Sequence, residues 1–360
     1  MSERATELHA SPSLGVFYLT GGGASLIAEI LNTPGASSTV LEASVPYAAA
    51  SLADLLGRAP DQACSPSTAR QLAMAAYERA QALGSGALFG LGCTASLATN
   101  RQKKGVHRAH WAIQTATDTF TFSATYNADR VAEEALLLEQ LWHTLRHCLI
   151  THNEPVDDAL LEIHARANPE QRPLLQPAPY KYCVGTGTGE LLLPGSFNPI
   201  HDGHREILKV AEDLTGRDGA FELAVRNADK PSLDYLTIEE RLAAAGDDTV
   251  WLTNTPTFEG KALLFPGTTF ALGVDTLARI GQLRFYQNHV DLMDKALNTF
   301  AEQDVHFLVF GRLDGEKFVA LDDLDIADAL RNRCTGVPES TYRNDTSSTA
   351  IRLENDSSAR

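Results

Sequence analysis

Two histidines three residues apart are the residues of this chain best placed to do chemistry. They close the run Gly195-Ser196-Phe197-Asn198-Pro199-Ile200-His201-Asp202-Gly203-His204, directly after the apolar Leu191-Leu192-Leu193. The apolar run reads as a strand. Gly195 and Pro199 permit a tight turn, and a helix follows around Gly203–Leu214, with Ile207, Leu208, Ala211 and Leu214 at helical spacing. Gly203, with no Cβ, lets the backbone approach a ligand closely. His201 and His204 fall on the first turn, so both rings can face one point. That point is also the positive end of the helix, where exposed N–H groups favour an anion. Two imidazoles there suit the charge that builds on a phosphate during transfer. Such chemistry needs no acid or nucleophile, because it depends on positioning and charge stabilisation. The plain alternative is a chance histidine pair at a helix cap, with or without a metal.

The stretch resembles the H-x-G-H signature of the nucleotidylyltransferase superfamily, and its surroundings are especially similar to nicotinate/nicotinamide-mononucleotide adenylyltransferases. The resemblance implies catalytic roles for His201 and His204. It implies nucleotide contacts from Gly195, Ser196, Phe197 and Gly203, and Mg²⁺ carried on ATP, held mostly by phosphates and water. Near the other end, Thr346-Ser347-Ser348-Thr349-Ala350-Ile351-Arg352 is similar to the family's S-S-T-x-[IL]-R motif. Hydroxyls at Ser347, Ser348 and Thr349 can cap a helix and hold phosphate oxygens, and Arg352 one turn on can pair with a polyphosphate. A plain Ser/Thr cap before a surface helix is the competing reading.

Weaker pieces lie between. Ala271-Leu272-Gly273-Val274-Asp275-Thr276 resembles the family's strand-ending G-x-D, which makes Gly273 and Asp275 nucleotide-site candidates; a helix-capping Asp275 is the alternative. Lys230, in Asn227-Ala228-Asp229-Lys230-Pro231, either touches phosphate or is a solvated loop lysine, with Arg241 further on as in the family's K-x(n)-R region. The relatives' S-Y-T-x-D-T segment has as its counterpart Pro256-Thr257-Phe258-Glu259-Gly260-Lys261-Ala262, which lacks the closing Asp-Thr pair. Reaction type is therefore better supported than acceptor. Trp251 and Phe258 can stack on a pyridine ring, although large aromatics are more often core.

The positioning elements form two groups. From about Leu14 to Ile150, strand-like Gly15–Leu19, Gly86–Gly92, His110–Thr117 and Asp118–Tyr126 alternate with helices at Ala24–Leu31 and Asp129–Ile150. This pattern predicts a three-layer α/β domain over residues 1–150. Proline- and glycine-rich 151–189 reads as a linker with one short helix near Asp157–Arg166. From residue 190 to 360, strands at Phe221–Val225, Phe270–Val274 and His306–Phe310 are separated by helices. That order predicts a Rossmann-like, doubly wound parallel sheet with its site at the carboxyl ends of the strands.

The first group resembles the nicotinamide-nucleotide amidase family, the C-terminal domain of competence-damage proteins. Thr20-Gly21-Gly22, Val45-Pro46-Tyr47, Leu55-Leu56-Gly57 and Gly90-Leu91-Gly92 carry that likeness. The amidase nucleophile and its lysine correspond here to Tyr18 and Leu52, so the resemblance implies a domain without amidase chemistry. Its role is structural, oligomerising or ligand-sensing.

Bulk properties exclude other classes. A net charge of −16 opposes general nucleic-acid binding, which needs a basic surface. The one dense basic run, Arg101–Arg108, reads as a solvated loop or an anion site. Five cysteines without a Cys-x-x-Cys pair argue for a reducing compartment and against a zinc site. Neither an apolar leader nor a run of eighteen apolar residues is present, so a cytoplasmic protein away from membranes is expected. The expected partners are ATP and a small phosphorylated acceptor, nicotinamide mononucleotide or its acid form first; a homo-oligomer is compatible with the sequence. The rivals are an adenylyl- or cytidylyltransferase with another acceptor, and a non-catalytic nucleotide sensor.

Overall fold

The computed structural model describes residues 2–100, 105–151, 160–227, 230–315 and 317–343. The chain forms two compact units. The first comprises Met1–Leu175 with Asp229–Glu239, and the second Gln176–Ala228 with Glu240–Arg360.

In the first unit the strands are β1 (Ser13–Thr20), β2 (Val40–Ser44), β3 (Ala87–Ser96), β4 (His107–Thr115), β5 (Asp118–Tyr126) and β6 (Leu161–Arg166). They form one sheet in the order β2-β1-β3-β4-β5-β6. β1 runs parallel to β2 and β3, and β4 to β6 follow antiparallel. Helices α1 (Glu3–Ala10), α2 (Ala24–Asn32), α3 (Ala49–Leu55), α4 (Pro66–Leu83) and α5 (Arg130–Arg146) cover it. Leu26, Ile30, Leu137 and Leu141 of α2 and α5 bury against Phe17 and Leu19 on one face. Leu72, Ala76 and Ala80 of α4 bury against Val16 and Tyr18 on the other. The expected three layers are present. Gly90 and Gly92 have a clear reason: a Cβ on either would strike the α4 backbone.

Two expectations need correction. Leu161–Arg166 is a strand, not part of a short helix near Asp157–Arg166. Its apolar residues alternate with charged ones at period two, and β5 supplies the ladder; residues 157–159 lie outside the described residues. The helix expected over Asp129–Ile150 has Asp129 as its N-cap and stops at Arg146, where a π-helical turn, His147–Thr151, takes over. Val131, expected on its apolar side, is exposed. The first turn is committed to polar contacts instead: buried Glu133 accepts from the N–H groups of Ala98 and Ala128 and from His107. Residues 101–104 of the basic run lie outside the described residues.

The second unit adds β7 (Lys181–Val184), β8 (Leu191–Gly195), β9 (Gly219–Ala224), β10 (Val250–Thr253), β11 (Thr269–Gly273), β12 (His306–Phe310) and β15 (Cys334–Val337), with a small hairpin of β13 (Arg312–Asp314) and β14 (Lys317–Val319). The order in the sheet is β15-β12-β11-β8-β9-β10-β7. All its strands are parallel except β7, which pairs antiparallel at the edge. The helices are α6 (Asp202–Thr215), α7 (Tyr235–Ala245), α8 (Phe258–Leu264), α9 (Val274–Ile280), α10 (Val290–Glu302) and α11 (Asp328–Arg331). The continuous apolar runs Leu191–Leu193 and Phe307–Phe310 reflect strands buried on both faces.

This sheet is the doubly wound arrangement expected from the sequence. The chain leaves β8 towards β9 and β10, then returns to place β11 on the other side of β8. The two directions part between β8 and β11. In open α/β sheets, ligands bind in the crevice outside the carboxyl ends at such a point. Among the described residues, no helix is long and apolar enough to cross a membrane.

Candidate active site at the β8–β11 switch point

β8 ends at Gly195 and delivers the chain to the first turn of α6, where His201 is the N-cap and His204 the third residue. Phe197 turns the corner with φ of 40°, a left-handed conformation that costs a non-glycine residue about 1–3 kcal/mol. The turn folds its ring back over Gly195, where a Cβ would lie 2.6 Å from the ring. The buried ring then packs edge-on against His204 at 5.1 Å and Phe221 at 5.1 Å. Only glycine fits at 195 while Phe197 supports His204 from beneath.

The two imidazoles stack, with centroids 3.7 Å apart and planes 27° from parallel. The N–H of His201 donates to Nδ1 of His204 at 3.3 Å. That bond assigns the His204 proton to Nε2, which becomes a donor. Burial lowers the pKa of both rings. His204 is pushed down to about 4, first by burial and then by His201 and Arg205. His201 is lowered by burial and by Arg205, against an opposing pull from Asp202. At neutral pH the pair is uncharged. A neutral pair at a helix N-terminus offers hydrogen-bond donors without the cost of two stacked cations.

Across the switch point, β11 ends at Gly273, which N-caps α9; a Cβ there would meet nothing closer than the Phe310 carbonyl oxygen at 3.9 Å. Asp275 is therefore not the cap. It is exposed in the first turn of α9 and pairs with Arg312 at 2.7 Å. Arg312, just beyond β12, was not picked out from the sequence. Its place depends on β12 pairing beside β11, which only the sheet order shows. Tyr342 was also missed. It packs edge-to-face on Phe310 at 5.4 Å and its hydroxyl donates to the Gly203 carbonyl at 3.5 Å, so the chain returns to the first turn of α6. Ser347, Ser348, Thr349 and Arg352, which follow it, lie outside the described residues.

The other candidates divide among that turn, the core and the first unit. Ser196 is exposed at the turn, and Gly203 is half-buried in the first turn of α6. Trp251 packs edge-to-face on Phe265 at 5.2 Å, and Phe258 on Phe270 at 5.4 Å. Both border the apolar core beneath α8 and α10. Lys230 is exposed, in the stretch of chain that belongs to the first unit.

Residues 192–254 match the family model described as cytidylyltransferase-like. That stretch, which carries the His-x-Gly-His turn, is thus similar to nucleotidyltransferases, as the turn leads one to expect. No curated protein matches the chain. Among solved structures, the competence/damage inducible protein CihA from Agrobacterium tumefaciens aligns with a TM-score of 0.33 and 18% identity, over 40% of this chain and 92% of that one.

In the first unit, the corresponding strand ends are closed. A Cβ on Gly21 would strike the Ala95 carbonyl, and the Glu134 carboxylate fills the start of α2, accepting from Gly23 N–H at 2.9 Å and Ser25 Oγ at 3.1 Å. Tyr18, which the resemblance sets at the amidase nucleophile position, donates to Glu42 and is held in its protonated form, first by burial and then by that carboxylate. Leu52, which the resemblance sets at the base position, is buried in the core.

Proposed function

We propose that the second unit transfers a nucleotidyl group from a nucleoside triphosphate, ATP in the first instance, to a phosphorylated acceptor. An acceptor phosphate oxygen attacks the α-phosphorus, a new P–O bond forms, and the bond to the bridging oxygen breaks to release pyrophosphate. The observation that carries this reading is the neutral, stacked His201–His204 pair at the helix N-terminus beside the β8–β11 switch point. The Nε2–H of His204 and the free N–H groups of α6 meet the negative charge that grows on the phosphates. The turn holding Gly195 and Phe197 fixes where those donors point. Ser347, Ser348, Thr349 and Arg352 complete the phosphate grip.

Among the described residues, no group of three or more His, Cys, Asp or Glu is arranged to hold a metal. Mg²⁺ would be brought by the nucleotide's own phosphates, where it would neutralise charge on the leaving pyrophosphate. The acceptor we put first is nicotinamide mononucleotide or its acid form, in a cytoplasmic NAD-forming step. A second reading, transfer of CMP from CTP to another acceptor, draws on the cytidylyltransferase-like match. Pyrophosphate release with Mg²⁺, ATP or CTP and a panel of phosphorylated acceptors separates them. Release with ATP and nicotinamide mononucleotide supports the first reading, and release only with CTP and a different acceptor supports the second. A silent panel with nucleotide still bound makes the unit a sensor.

The pH dependence follows from the same geometry. The Nδ1 that accepts from His201 must stay unprotonated, and a second proton would set two cations in a stack. The working form therefore exists above the lowered pKa values and is lost as pH falls through them. Turnover should hold level through pH 6.5, the ordinary histidine value, and fail only towards pH 4. A pH–rate profile whose acid limb is centred at 6.5, after correction for substrate ionisation, would show that burial does not govern the pair.

A further inference from the structure

The first unit holds a cavity of about 820 Å³ at the end of its sheet where β5 starts and β6 ends. That volume lies in the range of small-molecule sites, about 300–1,000 Å³. One wall is the π-helical turn His147–Thr151, a rare element that is frequent at functional sites. The other is one face of β6, which presents Glu162, His164 and Arg166 in sequence.

The three side chains are prepared differently. His164 stacks on Phe120, with centroids 4.2 Å apart and planes 8° from parallel, and His147 packs edge-on against the same Phe120 at 6.1 Å. The Nε2–H of His164 donates to Asp118 at 2.8 Å, so the ring is fixed in both plane and tautomer. Burial pushes the Asp118 carboxyl up. His164, Thr117 and Arg166 outweigh it, leaving the pKa below its usual value and the partner of His164 ionised. Glu162 and Arg166 are held more loosely. Their contacts, to the His147 ring and to Asp118, are both 3.6 Å, too long to be hydrogen bonds. Each keeps its hydrogen-bonding capacity for a ligand, and Arg166 is 70% exposed at the rim.

We propose that this face binds a nucleoside monophosphate whose base carries an exocyclic amine. The base lies on the His164–Phe120 platform, its amine donates to the Glu162 carboxylate, and its phosphate pairs with Arg166. Alternate residues of a strand point to one face, so the acceptor, the platform and the cation stand in line. The outer two are about 13 Å apart at the backbone, a span that long side chains shorten to that of a nucleotide. A keto group in place of the amine sets a lone pair against the carboxylate, so the site discriminates by charge. The site is independent of the β8–β11 crevice and of the reaction proposed there.

The test is equilibrium binding of AMP and IMP to the full chain and to three variants, Arg166→Gln, Glu162→Gln and His204→Ala. The expected result is an AMP-binding event that either β6 substitution weakens by about tenfold or more, each removing a charged hydrogen-bond partner. His204→Ala leaves that event unchanged, and IMP binds at least about tenfold more weakly than AMP. AMP binding that neither β6 variant alters, or that is absent at millimolar AMP, overturns the proposal.

Discussion

Replacing His204 with alanine should lower turnover of the nucleotidyl-transfer reaction by about 10²–10³-fold, with a much smaller effect on nucleotide binding. The substitution removes the Nε2–H donor that meets charge present only in the transition state, so the loss belongs in kcat rather than KM. It also removes the acceptor for the His201 N–H and the ring on which His201 stacks. His201→Ala on that background should therefore cost far less than it does alone, because the two act as a unit. His204→Gln is the instructive control, since an amide can donate but cannot reproduce the stack. Steady-state pyrophosphate release decides the matter. A His204→Ala protein that turns over at the parental rate would remove the histidine pair from the mechanism.

The second large effect is on stability. Glu222 of β9 is completely buried, and its two carboxylate oxygens receive the Lys261 ammonium at 2.6 Å and the Thr253 hydroxyl at 2.5 Å. Lys261, on α8, is itself 5% exposed. Lys261→Met would keep the length of the side chain and strand the carboxylate without its counter-charge. Breaking a buried pair from one side costs about 3–5 kcal/mol. The double variant Lys261→Met/Glu222→Leu should recover most of that loss, because replacing both charges by apolar groups is often neutral. Denaturant unfolding followed on the transition of the second unit measures both. A Lys261→Met loss below about 1 kcal/mol would mean that the carboxylate finds solvent or another partner. Glu222 stands in register with Pro194, directly before Gly195, so the same pair braces the strand end that carries the crevice turn.

These two cases divide differently between sequence and structure. The histidine turn was legible because everything it needs is local. A strand, a tight turn and a helix start are specified within about twenty residues, and their backbone chemistry brings both rings to one helix end. The parallel order of the second sheet was legible for a related reason, since apolar runs separated by helical periods leave few ways to wind. The Glu222–Lys261 pair had no such signature. Its members lie 39 residues apart, and a lysine and a glutamate at that distance look like surface residues until the sheet closes over them.

The sequence by itself determined the strand–turn–helix form of Gly195–His204 and the α/β class of both units. Tertiary structure alone decided that β8 and β11 lie side by side, so that Gly273, Asp275 and Arg312 share a sheet end with the histidines. It placed Trp251 and Phe258 against the core, turned 161–166 into a strand at the sheet edge, and made the histidine pair neutral. Each of those outcomes depends on which distant segments pair and on how much water they exclude. Short-range spacing sets the backbone conformation of a turn. Strand register and burial, which are properties of the closed fold, set the neighbours and the charge of the residues it carries.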